Sequence, residues 1–316
     1  MDTLYVIARE EAAGKTTICA GLARHLVDNG RKVGFVKLTS NADNHDAVFM
    51  KQLLNLTEDS ASLCVADGDP PVVKEACNRV AQGKHVMMVE GKRNKSSIEI
   101  ARALNASVIM IETYAQPLSG APGNYREFGT NFAGVVINKV PVSQLERVRD
   151  EALASASQAG ASVLGVIPED RTLSSVTVGE LAECTGGRIL NNTEKAADLV
   201  ENYLLGAMVV DSGLLYFGRK NNKAAIIKGN RPDMQLAALE TSTRCLLLSD
   251  SSEPPMHSVQ QKAESKGIPI ILTGRDTNSV VTTLEDCIGK TRFSQEKKLS
   301  RLSEILQQHL NLQAIT

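Results

Sequence analysis

Tryptophan is absent from this 316-residue sequence, and aromatic residues of all kinds make up only 3% of it. That scarcity removes the stacking platforms on which single-stranded nucleic acid usually lies. Neither sign of charge is in excess. The formal net charge is −1, so no overall field argues for nucleic acid or an anionic membrane as a partner. No apolar run approaches the ~20 residues that a membrane-spanning helix needs. An apolar strand begins at Leu4, which leaves no room for a signal peptide, and a cytoplasmic protein is expected. Cysteine is present but unpatterned. Cys19, Cys64, Cys77, Cys184, Cys245 and Cys287 contain no C-x-x-C pair, which reads as reduced, mostly buried thiols rather than a disulfide framework or a zinc site. The five histidines are equally scattered, with no metal-ligand spacing among them.

What is there describes an ordinary globular chain: 42% apolar and 22% charged residues, at a length that accommodates two domains. The first half alternates short apolar runs with amphipathic ones. LYVIA (4–8), VGFVK (33–37), HVMMVE (85–90), SVIMIE (107–112), AGVVIN (133–138) and SVLGVI (162–167) read as strands, near-continuously apolar as strands covered on both faces must be. Helical patterns over 16–29, 45–55, 72–82, 96–104 and 143–159 lie between them. This alternation predicts an α/β fold with a doubly wound, mostly parallel sheet and right-handed crossovers. PEDRTLSS (168–175) breaks the rhythm, so the sequence divides into a first domain over 1–168 and a second, smaller α/β domain over 169–316. In the second, TVGELAECTGG predicts a helix capped by Thr177 and ended by Gly186 and Gly187, and KAAIIKG, TRCLLLS and GIPIILTG predict strands. The closing stretch over 294–310 aligns Leu299, Leu302, Leu306 and Leu310 on one helical face. Two readings stay open for it: a terminal helix docked on its own domain, or a dimer seam.

Chemistry concentrates at REEAAGKTT (9–17), between the first strand and its helix. It ends as a phosphate loop ends, in Gly14-Lys15-Thr16-Thr17, but begins with Arg9 where G-x-x-x-x-G-K-[ST] asks for glycine. Gly14 lets the backbone approach phosphate oxygens, Lys15 brings a cation to the β- and γ-phosphates, and the Thr16 hydroxyl is a ligand for Mg²⁺. Amides at the start of the helix, Thr17 among them, complete the anion hole.

With these residues in view, the first ~170 residues resemble the dethiobiotin synthetase-like P-loop domain. More specifically they resemble the version at the N-terminus of long bacterial phosphotransacetylases, whose loops take the form E-E-x-x-G-K-[ST]. Glu10-Glu11-Ala12-Ala13-Gly14-Lys15-Thr16 fits that form. The resemblance implies further roles: Lys37 beside Lys15 on the phosphates as catalytic cations, Asp46 and Glu90 with Thr16 around Mg²⁺, and Asn138 reading adenine. ATP with Mg²⁺ is the implied cofactor set. Each residue also has a plainer reading. Lys37 would be a solvated strand end, Asp46 a helix cap, and Asn138 a turn residue before Pro141. Glu90, closing an apolar strand, is costly unless paired. Glu10 and Glu11 put negative charge near the expected phosphate.

VIPEDRTLSSVTVGELAECTGGRIL, with the later GIPIILTGRDTNSVVTTLEDCIGKTRF, resembles a DRTGG domain, marked here by Asp170, Arg171, Thr177, Gly186 and Gly187. Asp170 and Arg171 also suggest an interdomain ion pair. No counterpart of the acetyl-transferring domain is recognised, so acetyl phosphate chemistry is not expected. The resemblance implies a nucleotide-responsive regulatory protein that acts on a second copy or on a partner enzyme. The alternative is an ATP-dependent carboxylate–amine ligase of the dethiobiotin synthetase or cobyrinate amidation type, with TYAQPLSGAPGNYREFGTNF (113–132) lining its organic pocket. A third expectation is a vestigial, empty loop.

Overall fold

The computed structural model describes residues 1–41, 44–114, 123–159, 161–207, 213–289, 293 and 295–315. Seven strands build the first sheet: β1 (Asp2–Ala8), β2 (Val33–Leu38), β3 (Cys64–Val65), β4 (Val86–Lys92), β5 (Ser107–Thr113), β6 (Phe132–Val140) and β7 (Val163–Pro168). They lie in the order β3-β2-β4-β1-β5-β6-β7, and every pairing is parallel. Leu4 to Ala8 are buried without a break, because β1 sits in the middle of the sheet with neighbours on both edges and helices over its faces. The helices are α1 (Lys15–Asp28), α2 (His45–Leu54), α3 (Pro70–Val80), α4 (Ser97–Ala103), the single turn α5 (Gly123–Arg126) and α6 (Leu145–Ala159). The doubly wound parallel sheet expected from the apolar runs is therefore present. Its edge strand β3 is two residues long, too short to give a periodic signal.

The second unit holds a sheet ordered β11-β12-β13-β14-β9 and a two-stranded ladder. Its elements run β8 (Val176–Thr177), α7 (Val178–Thr185), β9 (Arg188–Ile189), β10 (Leu199–Val200), β11 (Asn202–Leu205), α8 (Gly213–Phe217), β12 (Lys223–Lys228), α9 (Pro232–Leu239), β13 (Thr243–Ser249), α10 (His257–Ser265), β14 (Ile270–Leu272) and α11 (Thr277–Gly289). The predicted helix ends are as expected. Thr177 Oγ1 accepts from the Glu180 amide at 3.1 Å, Glu180 Oε2 accepts from the Thr177 amide at 2.7 Å, and Gly186 takes the left-handed turn at φ 61°.

Two expectations are corrected. The chain's compact units are Met1–Leu173 with Arg292–Thr316, and Ser174–Thr291, so the terminal helix α12 (Leu299–His309) belongs to the first unit rather than the second. Its leucine face is covered by α1 and β7 within the chain, and so is no dimer seam. A Cβ on Gly21 of α1 would lie 2.2 Å from Leu306 and 3.1 Å from Leu302, and Gly165 of β7 bridges to Leu310. Glycine at both places is what lets the helix come so close. Asp170, expected to take part in an interdomain ion pair, accepts from Arg301 Nε of α12 at 3.0 Å, within the first unit.

The cysteines are the second correction. Cys184 of α7 and Cys287 of α11 are joined by a disulfide across 103 residues, while Cys19, Cys64, Cys77 and Cys245 are not disulfide-bonded. A bond over so long a span leaves no spacing signature to read. Opening it with a reductant, or through Cys184→Ser, is expected to lower the stability of residues 174–291 by about 2–4 kcal/mol, the cost of returning loop entropy to the unfolded chain. Thiol titration of the oxidised, denatured protein checks the premise. Four reactive thiols are expected, and six would refute it.

Candidate functional site

The site forms where β1 gives way to α1. Two backbone positions make the turn: Ala12, left-handed at φ 55°, and Gly14 at φ 91°. A non-glycine residue at positive φ is strained by about 1 kcal/mol or more, and here the strain falls in the residues that would wrap a phosphate. Lys15 Nζ reaches back to the Glu10 carbonyl at 3.4 Å, a weak bond that leaves the ammonium available. Burial draws the Lys15 pKa below the ordinary lysine value, while the Glu90 carboxylate pulls the other way. An anion arriving at the loop would relieve that cost.

The acidic residues that threatened the loop are occupied elsewhere. Glu10 Oε2 accepts from Thr113 Oγ1 at 2.8 Å, and Glu11 pairs with Lys92 at 3.2 Å on the surface. Neither is drawn into the loop by these contacts.

Beneath the loop the structure gathers Thr16, Lys37, Asp46 and Glu90, four residues the sequence reading had singled out separately. Glu90, 1% exposed, accepts on Oε1 from Thr16 Oγ1 at 2.9 Å and from Lys37 Nζ at 2.9 Å. Lys37 also donates to Asp46 and, at 3.4 Å, to Thr16 Oγ1. Burial alone would lower the Lys37 ammonium, but Glu90 and Asp46 outweigh it and hold its pKa above the ordinary value. Lys37 is thus a half-buried counter-ion rather than a solvated strand end. Nor is Asp46 the cap of α2. Asn44 does that, its Oδ1 accepting from the Asp46 and Ala47 amides at 3.0 and 3.3 Å, which frees the Asp46 carboxylate to face Lys37.

A divalent cation fits this group. The second carboxylate oxygen of Glu90, Oε2, is buried with no hydrogen-bond partner among the described residues, an arrangement that is expensive unless something positive completes it. One hydroxyl and two carboxylates supply the hard oxygens that Mg²⁺ prefers, leaving places for phosphate and water.

Asn138 sits apart from that cluster. Its side chain is 7% exposed, and Nδ2 donates to the Ala13 carbonyl at 2.9 Å. The same amide stands 2.2 Å from where a Cβ on Gly14 would be, so it braces the loop and helps require glycine there. Thr17 is half-buried in the first turn of α1. Of the expected organic pocket over 113–132, residues 115–122 lie outside the described residues.

A central parallel strand, a loop ending in Gly-Lys-Thr at a helix start, and an acidic residue on the adjacent strand define the P-loop class of nucleotide-binding fold. Comparison with known proteins makes it particular. The chain belongs to the CobQ/CobB/MinD/ParA nucleotide binding domain family, whose model matches residues 5–180, and a DRTGG domain model matches residues 180–287. It is 21% identical to a phosphate acetyltransferase of Nitratidesulfovibrio vulgaris over 98% of its length, and 23% identical to one of Synechocystis over 67%. The chain spans about half of the first relative and 32% of the second. Among solved structures it is similar to the MinD cell division protein of Aquifex aeolicus, at 15% identity and a TM-score of 0.41, over 55% of this chain and 84% of that one. No helix among the described residues is long and apolar enough to cross a membrane.

Proposed function

We propose that residues 1–173 bind ATP with Mg²⁺, and that the protein is a nucleotide-responsive regulator. The observation that carries the binding is the convergence of Thr16, Asp46 and Glu90 beneath Gly14 and Lys15, with the Glu90 Oε2 oxygen left over. In this reading Lys15 takes the β- and γ-phosphates. Thr16, Asp46 and Glu90 hold the metal, and Thr17 contributes its amide to the phosphate cradle. Lys37, tethered to the two carboxylates, would turn toward the phosphates if a metal took its place. Asn138 sets the loop and presents its remaining amide oxygen toward the base. The regulatory part rests on the pairing of this domain with a DRTGG module, in relatives named for phosphate acetyl transfer of which the chain spans only part. Its partner would be a second copy or an enzyme whose activity follows nucleotide state.

Calorimetry with ATP, ADP and GTP tests the proposal. One ATP per chain is expected, with affinity raised at least tenfold by Mg²⁺, a gain of about 1.4 kcal/mol, and no release of phosphate. Glu90→Gln is expected to remove most of the Mg²⁺-dependent gain. Absence of heat with every nucleotide would refute binding. Phosphate release driven by a carboxylate and an amine would replace regulation with ligase chemistry.

A further inference from the structure

Beside the nucleotide loop, at the carboxyl ends of β1 and β4, lies an open cleft of about 550 Å³ lined by Arg9, Arg93, Asn94, Lys95, Ile98 and Glu127. Its size falls within the range of small-molecule sites, roughly 300–1,000 Å³. It goes beyond the nucleotide reading and does not rest on it. The two strands run parallel with Ala8 opposite Lys92, and the Arg93 amide donates to the Ala8 carbonyl at 2.8 Å. That register sets Arg9 and Arg93, the next residues on each strand, side by side. Ligands of open parallel sheets bind at this edge.

Three of the lining side chains are cationic and one is a carboxylate. Glu127 is committed, since Arg93 Nη2 donates to it at 2.7 Å. The Arg93 guanidinium is a built part of the wall: 13% exposed, bonded to the Asn94 carbonyl at 2.8 Å and lying over the Phe128 ring at 4.9 Å. The segment below it is tied down as well. Asn94 Nδ2 donates to Asp67 at 2.6 Å, the Asn94 amide donates to Ser97 Oγ at 2.9 Å, and Ser97 Oγ donates to the Lys92 carbonyl at 3.1 Å. Arg9 is half-buried and Lys95 exposed. The nearby Glu112 carboxyl accepts the Tyr125 hydroxyl; burial pushes its pKa up, while that bond and the Arg9 charge pull the other way. Among the described residues lining the cleft, Ile98 is the one apolar side chain.

We infer that this cleft is a second ligand site, taking a small metabolite with two or more negative charges, carboxylate or phosphate, gripped by Arg9 and Lys95 against the fixed Arg93. Guanidinium forks match both oxyanions. The KRNK run at 92–95 was the available sequence signal, and Arg9 in the glycine position of the loop was its other half.

Calorimetry of the full chain with citrate, succinate and inorganic phosphate, with acetate as the singly charged control and ionic strength matched, tests the site. At least one multiply charged anion is expected to bind with at least tenfold higher affinity than acetate, and whether a carboxylate or phosphate wins identifies the source. Arg9→Gln with Lys95→Gln should weaken it at least tenfold, while Lys95→Gln alone leaves the ligand-free melting temperature in place. Lys15→Ala, which separates this site from the nucleotide loop, should keep the anion. Equal binding of all four probes, no loss in the double variant, or loss of the anion in Lys15→Ala would each overturn the inference.

Discussion

Lys15→Ala is expected to weaken ATP binding by about a hundredfold or more while leaving the fold intact. Removing a charge-assisted hydrogen bond costs about 1.5–3 kcal/mol, and each 1.4 kcal/mol is about tenfold in affinity. The loss should be at the upper end, because the ammonium is part-buried and its own burial cost is relieved by the incoming phosphate. Stability should change little. Among the described residues Lys15 has only the 3.4 Å bond to the Glu10 carbonyl, and Glu90 retains Thr16 and Lys37. The comparison with Lys37 is instructive. Replacing Lys37 would strand a buried Glu90 beside Asp46 without a counter-ion, so a binding loss there would be mixed with destabilisation. Lys15 is the cleaner probe. Calorimetry with ATP and ADP, alongside a thermal melt, checks the prediction. An affinity for ATP within about threefold of wild type would place the phosphates somewhere other than this loop, since even one ordinary hydrogen bond to a charge is worth more than that.

The strand order was not legible in the sequence, but the longer strands were, because burial on both faces forces a continuous apolar run and few other elements show one. Gly14, Lys15 and Thr16 were legible because the loop is local: seven consecutive residues whose neighbours already announce a strand and a helix. Glu90 was legible for a different reason, as a charge that an apolar strand end cannot keep without a partner. What joins it to Lys37 and Asp46 is the parallel register of β2 on β4, which sets Lys37 opposite Glu90 and is a property of the sheet rather than of either segment. Asp46 looked as much like a helix cap as a ligand, since the two uses place the same residue type in the same turn. The capping by Asn44 removes the first use, and sequence does not tell which carboxamide oxygen meets which amide. The disulfide and the true place of α12 are long-range pairings, to which local pattern is blind.

The largest effect on stability should come from Leu302→Ala in α12. An amphipathic helix announces that it will be buried but not by what, and the sequence left a dock on its own domain and a dimer seam open. Here Leu302 is 0% exposed and Leu306 2%, packed over Gly21 of α1, whose first turn carries Lys15 and Thr16. Truncating a leucine in such a position typically costs about 2–5 kcal/mol, a large share of the roughly 5–15 kcal/mol that holds a domain together. The loss should appear in the first unit, as faster amide exchange in β1, β4 and α1, with the amides of β12 and β13 unchanged. ATP with Mg²⁺ at a hundred times its dissociation constant should return about 2.7 kcal/mol, because ligand binds only the folded unit. Protection lost in β12 and β13 instead would return α12 to the second domain. An increase in stability would mean that its leucines are not the cover over α1.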